Sequence, residues 1–354
     1  MKIKEVTSLM LGAAAAVSLA AAANAQELPK QHFKGIASFS SSPVYSTRAK
    51  PFWEEQIPGA SNGRITADIV TIDQLGLDGK EVFRMVPMGL FDFVTNVMSF
   101  AAGDDPRNEA LDLAGLAPDI ETLRQMADAY EPTLKELFGS KYNLKMMGTW
   151  PIGPVVAWCN APVTSLADLQ GKKVRGFNRG MADFLEGIGA VPVSMSFGDM
   201  VTGLQRGTVD CAITSPRSGL KAGLGEVTTH ILNVTLGWAM VFDGFATSKW
   251  DNLEEPVQAL LTEEYVKSEE EIYAAVVEET EDAYRCLQGE EPCNDPGEMQ
   301  APLTVTDLSE ADRAEVDRVV REVVLPRWAE RCGADCVANF NEAVGGVIGF
   351  EIEG

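Results

Sequence analysis

The sequence predicts an α/β fold made of two units, each with a mainly parallel sheet covered by helices. Strand-like and helix-like runs alternate through the first two-thirds of the chain, an order typical of βαβ units. Beyond an N-terminal leader the chain keeps roughly 330 residues, which exceeds the usual size of one domain. After about residue 248 the alternation gives way to long charged helices, and helices of that length can brace both units.

The leader is a predicted secretory signal peptide, residues 1–25. Lys2 and Lys4 supply its basic start, Leu9–Ala23 its apolar stretch and Ala23-Asn24-Ala25 its cleavage motif, so we expect cleavage after Ala25. The apolar stretch is too short for a membrane span, and no later stretch of the sequence is long and apolar enough to be one. We therefore expect an exported protein.

The first predicted strands are the runs "FKGIASF", "RITADIV", "FDFVTNV", "LKMMGTW" and "PVVAWC", in that order. A helical segment reaches Gln56, a second helix lies near Lys80–Met85, and a long one covers about Pro118–Leu137. The runs are rich in β-branched and aromatic residues and are bounded by Gly, Pro and Asn, as strands usually are. This order predicts mainly parallel sheets covered by helices.

The second unit repeats the alternation with clearer boundaries. Ser165-x-x-Asp168 and Ser196-x-x-Asp199 have the capping-box pattern of helix starts. Glycines end helices just before the strands "KVRG", "VPVSM" and "VDCAIT", at Gly171, Gly189 and Gly207. Beyond this unit, "LEEPVQALLTEEYVKSEEEIYAAVVEETEDAYRCL" has the apolar spacing of one long helix.

The net charge of the chain argues against nucleic-acid partners, and its histidine content argues against a metal site. The chain has 52 Asp and Glu against 29 Lys and Arg, a net charge of −23, which argues against nucleic acid because phosphates require basic surfaces. The only histidines are His32 and His230, and neither has ligand spacing with a cysteine. We expect no metal site and no cofactor.

Six cysteines in an exported chain predict disulfides. Cys286 with Cys293 and Cys332 with Cys336 are favoured as local bridges, although these four cysteines allow other pairings. Cys159 and Cys211 lie in apolar strand contexts, where buried free thiols are an equal alternative.

Two enzymatic motifs match by letter. Gly59-Ala60-Ser61-Asn62-Gly63 fits G-x-S-x-G, but it lies between a helix and a strand, the reverse of the strand-to-helix turn that this motif needs. Ser218 and Lys221 fit S-x-x-K, but the neighbouring glycines argue against the helix that this second motif needs. A secreted α/β hydrolase with Ser61 or Ser218 as nucleophile remains the alternative to a binding protein.

Polar residues follow several of the predicted strands, at the sheet edge where α/β proteins bind ligands. The candidate binding residues there are Ser41 and Tyr45 within Ser40–Tyr45, Asn96, Trp150, Arg175, Thr214, Ser215, Arg217 and Ser218. Arg175 is the most specific, since a guanidinium can donate two parallel hydrogen bonds to a carboxylate. The alternative for Arg175 is a surface ion pair.

The segment "SLADLQGKKVRGF…LEGIGAVPVSMSFGDMVTGLQRGTVDCAIT" resembles the hallmark segment of the DctP-like substrate-binding proteins of tripartite ATP-independent periplasmic (TRAP) transporters. The matches run in order from Asp168-Leu169 through Gly171, Lys173 and Arg175 to Val209-Asp210. "GRITADIV" and "QLGLDGKEVFRMVPMGLFDFV" are similar to earlier parts of that family.

The resemblance implies a two-lobed periplasmic binding protein fold with a long helix bridging both lobes. Lobe I is expected at residues 26–152 plus about 238–277, and lobe II at 153–237 plus about 278–354. Arg175 then matches the family arginine that clamps the ligand's carboxylate. The implied partners are a small organic acid and the small and large membrane subunits of a TRAP transporter, with a ligand-sensing adaptor for a membrane receptor as a second alternative.

Two departures from the family bear on the ligand. Many members have a second arginine in a "G-x-R" context where this chain has Gly153-Pro154-Val155, and Arg217 is the candidate replacement. Many also have an asparagine before the final helix, where this chain reads "FATSKW". Trp150 and Trp238 lie nearby, and Trp238 fits a core position as well as a pocket position. We expect an aromatic or branched-chain monocarboxylate.

Overall fold

The structure is a computed structural model that describes residues 27–353 apart from 296, 298 and 300, so the predicted signal peptide lies outside the described residues. The strands are β1 Gln31–Ala37, β2 Ile65–Thr71, β3 Phe93–Val97, β4 Leu144–Pro151, β5 Val156–Cys159, β6 Lys173–Gly176, β7 Val191–Ser194, β8 Cys211–Thr214, β9 His230–Asn233, β10 Met240–Ala246 and β11 Thr304–Asp307.

Helices cover both sheets and form the C-terminal part. They are α1 Ile57–Ala60, α2 Val82–Met85, α3 Ile120–Tyr142, α4 Arg179–Gly187, α5 Met200–Gln205, α6 Pro216–Ala222, α7 Thr247–Trp250, α8 Glu255–Gln288, α9 Glu310–Val319, α10 Leu325–Cys332 and α11 Ala334–Ile348. Val44–Ala49, Phe52–Gln56 and Val320–Val324 are π-helical. Across the described range, no helix is long and apolar enough to cross a membrane.

The strands form two mixed sheets. The first has the order β2-β1-β3-β10-β4 and the second β11-β9-β5-β8-β6-β7. Pairing is parallel for β1 with β2 and β3, for β6 with β7 and β8, and for β9 with β11, whereas β10 and β5 run antiparallel to both their neighbours. The predicted α/β class with mostly parallel strands is confirmed. We call each sheet with its helices the first and the second unit.

The chain passes between the units at residues 152–155 and 234–239, and a third time along α8. The N-terminal half of α8 buries Val257, Leu261 and Tyr265 among aromatic residues of the first unit. Its C-terminal part packs Ala283 and Leu287 into the core of the second unit. At 1.5 Å per residue its 34 residues extend about 51 Å, so this helix bridges both units as expected.

The C-terminal helices contact both units. In α11, Phe340 packs edge-on against Tyr130 of α3, which belongs to the first unit, with ring centroids 5.5 Å apart. In α10, Arg331 pairs at 2.6 Å with Asp183 of α4, which belongs to the second unit. The expected lobe II segment from about 278 to 354 therefore stays a prediction.

All six cysteines are paired. Disulfides join Cys286 to Cys293 and Cys332 to Cys336, the two local pairs that the spacing favoured, and a third joins Cys159 to Cys211. The free-thiol alternative for the last pair is wrong because β5 and β8 are antiparallel neighbours in which these residues lie directly opposite, with Cα atoms 4.1 Å apart. The sequence does not reveal this register.

Candidate functional site

A narrow cavity of about 30 Å³ lies between the two units, at the carboxyl ends of β1, β3, β6 and β8. Its polar lining residues are Ser38, Ser42, Arg175, Thr214 and Ser218. Its apolar lining residues are Phe39, Val97, Phe100, Ile152, Phe177, Phe197 and Ala239. The position is the one that parallel α/β sheets use for ligands, because the strand ends there leave room between the loops.

Arg175 is buried, with 2% of its surface exposed, and is held by backbone carbonyls. Its Nε donates to the oxygen of Met195 and its Nη1 to the oxygen of Ile213, both at 2.9 Å. Burial lowers the pKa of Arg175 to about 9, and no carboxylate of the described residues counteracts that effect. The surface ion pair considered for Arg175 is therefore wrong: the structure fixes a buried cation whose charge the described residues leave uncompensated.

Thr214, the last residue of β8, and Ser218, in α6, both line the cavity. Ser215 lies behind them and caps α6: its Oγ accepts from the backbone N–H of Ser218 at 3.2 Å and donates to the Ser218 Oγ at 2.9 Å. The sequence suggested a loop here, but Gly219 lies within α6, and this position is glycine because a Cβ would come within 2.1 Å of the Trp158 ring.

Arg217 does not reach the cavity. It lies on the side of α6 that meets α8, where its guanidinium pairs with Glu279. Glu279 also accepts two hydrogen bonds from Arg48, at 2.6 and 2.7 Å. Arg217, the candidate replacement for the second family arginine, therefore does not line the cavity in this structure.

Three residues that were predicted at the ligand edge do not line the cavity, whereas residues one or a few positions away in the sequence do. Asn96 points away from the cavity and donates from Nδ2 to the oxygen of Gly79 at 2.8 Å, while Val97 lines the cavity because successive strand residues face opposite sides. Ser41 is exposed and Tyr45 is half-buried, and neither lines the cavity. Ser38 and Ser42 lie there instead.

Both predicted tryptophans belong to the core. Trp150 donates from Nε1 to a carboxylate oxygen of Asp243 at 2.7 Å and packs beside Ile272. Trp238 donates from Nε1 to the oxygen of Ala117 at 3.0 Å. Of the two positions considered for Trp238, core and pocket, the structure therefore has the core position.

The aromatic residues that do line the cavity are phenylalanines, which the sequence analysis missed. Phe39 packs against Phe197 with ring centroids 5.6 Å apart and edge-on against Phe100 at 6.3 Å. The Phe177 ring centroid lies 5.5 Å from the guanidinium carbon of Arg175. One signal was present: Phe177 follows Arg175-Gly176 directly, just past the end of β6.

The two serine motifs do not assemble a nucleophile with a base in the described residues. Ser61 is buried, donates from Oγ to the oxygen of Ile57 at 2.7 Å and accepts from the backbone N–H of Ile65 at 3.0 Å. The ammonium group of Lys221 pairs with Asp295. Ser61 therefore stabilises a turn. Helix α6 supplies the helix that S-x-x-K needs, but Ser218 hydrogen-bonds to Ser215 and not to Lys221.

Two α/β units joined by crossover segments around a cleft define the class of two-lobed binding proteins. The chain belongs to the DctP family, bacterial extracellular solute-binding protein family 7, whose model matches residues 37–328. The resemblance to TRAP substrate-binding proteins is thereby confirmed.

Individual relatives agree with this assignment. The C4-dicarboxylate-binding periplasmic protein DctP of Rhodobacter capsulatus is 24% identical over 293 residues, which is 81% of this chain and 83% of that protein. The ectoine-binding periplasmic protein TeaA of Halomonas elongata is 25% identical over 183 residues, 50% of this chain and 53% of TeaA. That second match therefore spans about half of TeaA.

Solved structures show the same fold. DctP7 of Bordetella pertussis, described as binding pyroglutamic acid, superposes with a TM-score of 0.78 at 18% identity, covering 89% of this chain and 99% of DctP7. A TRAP solute-binding protein from Desulfovibrio salexigens with bound orotic acid also superposes with a TM-score of 0.78. The two chains are 20% identical, and the superposition covers 90% of this chain and 100% of that protein.

Proposed function

We propose that the protein is a periplasmic solute-binding protein that captures a small organic carboxylate and delivers it to the membrane subunits of a TRAP transporter. The observation that carries this proposal is Arg175, a buried cation in the cleft with no carboxylate partner among the described residues. A cation that is costly to bury is retained where an anionic ligand compensates its charge. Family membership and the acids named for DctP7 and the Desulfovibrio protein support the same class of ligand.

The lining favours a monocarboxylate with an apolar body, aromatic or branched. Arg175 is the single cation that lines the cavity in the described part of the chain, and phenylalanines surround it. Because Met195 already accepts from Nε, the ligand's carboxylate is expected at the Nη end of the guanidinium, with Nη2 as its donor. The hydroxyl groups of Thr214, Ser218, Ser38 and Ser42 are available for its remaining polar atoms.

Binding requires the two units to move apart. A cavity of about 30 Å³ has room for water-sized molecules, whereas pockets for organic ligands usually measure about 300 Å³ or more. The crossovers at 152–155 and 234–239 and helix α8 are the connections about which the proposed lobes would move. Closure then excludes water and strengthens the ion pair. The ligand leaves chemically unchanged, so the proposed protein is a carrier and not an enzyme.

A thermal-shift screen of residues 26–354 tests this function with aliphatic, sugar-derived and aromatic carboxylates. A ligand that binds the folded state raises the melting temperature. We expect a shift with small apolar carboxylates that Arg175→Met abolishes, because removing the cation costs on the order of 3–5 kcal/mol, at least about a hundredfold in affinity. Methionine keeps most of the side-chain volume.

Arg206→Ala is the control, since Arg206 is an exposed arginine of the same unit. It should leave the shift unchanged. A shift that survives Arg175→Met would contradict the proposed anchor, and the absence of a shift with every carboxylate would contradict the proposed ligand class.

A further inference from the structure

A second cavity of about 450 Å³ lies in the same cleft, on the far side of two aromatic rings from Arg175. We call it the vestibule. The first unit contributes Ser99 and Gly103 to it, and the second unit contributes Asn178, Arg179 and Ser194. The vestibule has five polar or charged lining residues, as many as the inner cavity, but unlike the inner cavity it is wide enough for several waters.

Phe100 and Phe177 are the residues shared by the two linings, and no other described residue lines both. Phe100 comes from the 3-10 turn Met98–Ala101 after β3, and Phe177 follows β6. One ring therefore belongs to each unit, and together they separate the inner cavity from the vestibule.

Neighbouring groups hold both rings in place. Phe100 lies over Gly79, where a Cβ would come within 2.1 Å of the ring, and it packs edge-on against Phe39. Phe177 lies beside the Arg175 guanidinium. Glycine at position 79 thus lets the first ring approach the backbone, and the cation–π contact orients the second.

We propose that Phe100 and Phe177 form a wall that sets the maximum length of the ligand. When the units have moved apart enough to widen the inner cavity, the carboxylate and a short apolar body occupy it, and a longer chain collides with the rings. This inference rests on the proposed carboxylate anchor at Arg175. Removal of either ring joins the inner cavity to the vestibule and gives a longer chain a path toward solvent.

The test is a calorimetric affinity series of straight-chain monocarboxylates, from propionate to decanoate, on the wild type, Phe100→Ala and Phe177→Ala. Affinity should rise with each buried methylene by up to about fourfold, from ~0.8 kcal/mol per group, until the chain meets the wall. In the wild type it should then fall. In both variants the longest accepted chain should be longer by about two or more carbons.

ω-Hydroxycarboxylates and the control Phe197→Ala make the test specific. Phe197 lines the inner cavity only, so its removal enlarges that cavity without joining it to the vestibule. A terminal hydroxyl should be tolerated in Phe100→Ala and Phe177→Ala, where it reaches the wet vestibule. It should weaken binding to the wild type and to Phe197→Ala, where the end of the chain stays closed off from the vestibule and the hydroxyl loses its hydration.

The outcomes separate the two proposals. Wild-type binding that depends on Arg175, combined with an unchanged length limit in both wall variants, would overturn the wall alone. An equal gain of ω-hydroxy ligands in Phe197→Ala would overturn it as well. If no carboxylate binds the wild type, the proposed function fails and the wall fails with it. Circular dichroism and melting temperatures establish that each variant folds.

Discussion

At the scale of single residues, the first sheet contains a carboxylate that is costly to ionise. Burial raises the pKa of Asp243 to about 6, although hydrogen bonds from Thr95 Oγ1 and Trp150 Nε1 act in the opposite direction. Between the ordinary value of 3.8 and about 6 the folded protein holds this proton more firmly than the unfolded chain does. The contribution of Asp243 to stability therefore falls as the pH rises through that range.

Asp243→Asn should remove this pH dependence. The free energy of unfolding of the wild type, relative to the variant, should fall between pH 4 and 6 by up to about 1.4 kcal/mol per pH unit, the value for one proton. Urea unfolding at constant ionic strength measures it. The exposed Asp317→Asn, which makes the same change in net charge, should show no such fall. A constant difference between wild type and Asp243→Asn across this range would show that Asp243 is not the group responsible.

The sequence locates some site residues and misplaces others for geometric reasons. Arg175 is predictable because a strand that ends in glycine places its side chain at the ligand edge of the sheet. Asn96 does not line the cavity because successive residues of a strand face opposite sides of the sheet. Its neighbour Val97 lines the cavity instead. Phe197 lies in a turn and packs against Phe39 of the opposite unit, and Phe100 lies in a turn over Gly79; both are tertiary contacts, which local sequence does not encode.

At the scale of elements, the disulfide Cys159–Cys211 links β5 to β8, the strand that leads into α6 and its cavity residue Ser218. It closes a loop with a sequence separation of 52, whereas Cys332–Cys336 closes one with a separation of 4. The longer loop restricts the unfolded chain more strongly.

Replacing both Cys159 and Cys211 by alanine should lower the free energy of unfolding by about 4 kcal/mol, from the entropy of loop closure. The matched replacement of Cys332 and Cys336 should lower it by about 2 kcal/mol. Urea unfolding without reductant compares the two double variants. An equal or reversed order would mean that strain or packing in the native state, and not loop length, decides the effect.

The order and type of most elements can be predicted from the sequence, but several local details cannot. Ser165-x-x-Asp168 forms the predicted capping box, whereas Ser196 makes no side-chain cap, although a 3-10 helix begins after each serine. Helix α6 was interpreted as a loop from its glycines, since the contact between Gly219 and Trp158 is tertiary. Helix α8 was predictable because its apolar period persists along its whole length.

At the scale of the whole molecule, one ion cluster joins the two units beside the cleft. Glu279 of α8 accepts from Arg48 of the first unit and pairs with Arg217 of the second. Arg48 belongs to the segment Val44–Ala49 just after the cavity residue Ser42, and Arg217 immediately precedes Ser218. The carboxylate therefore connects both sides of the cavity through the bridging helix and favours the conformation in which the units meet.

Glu279→Gln should weaken ligand binding without altering the Arg175 anchor. The change leaves two arginines without their carboxylate, so the closed form loses about 1–2 kcal/mol after allowance for partial exposure, and affinity falls about five- to thirtyfold. Titration calorimetry with the carboxylate found by thermal shift measures this fall, and small-angle scattering should show a more extended ligand-free protein. The neighbouring, exposed Glu278→Gln makes the same change in charge and should leave both unchanged. Equal losses in the two variants would indicate a general effect of charge and would contradict a role for the cluster in closure.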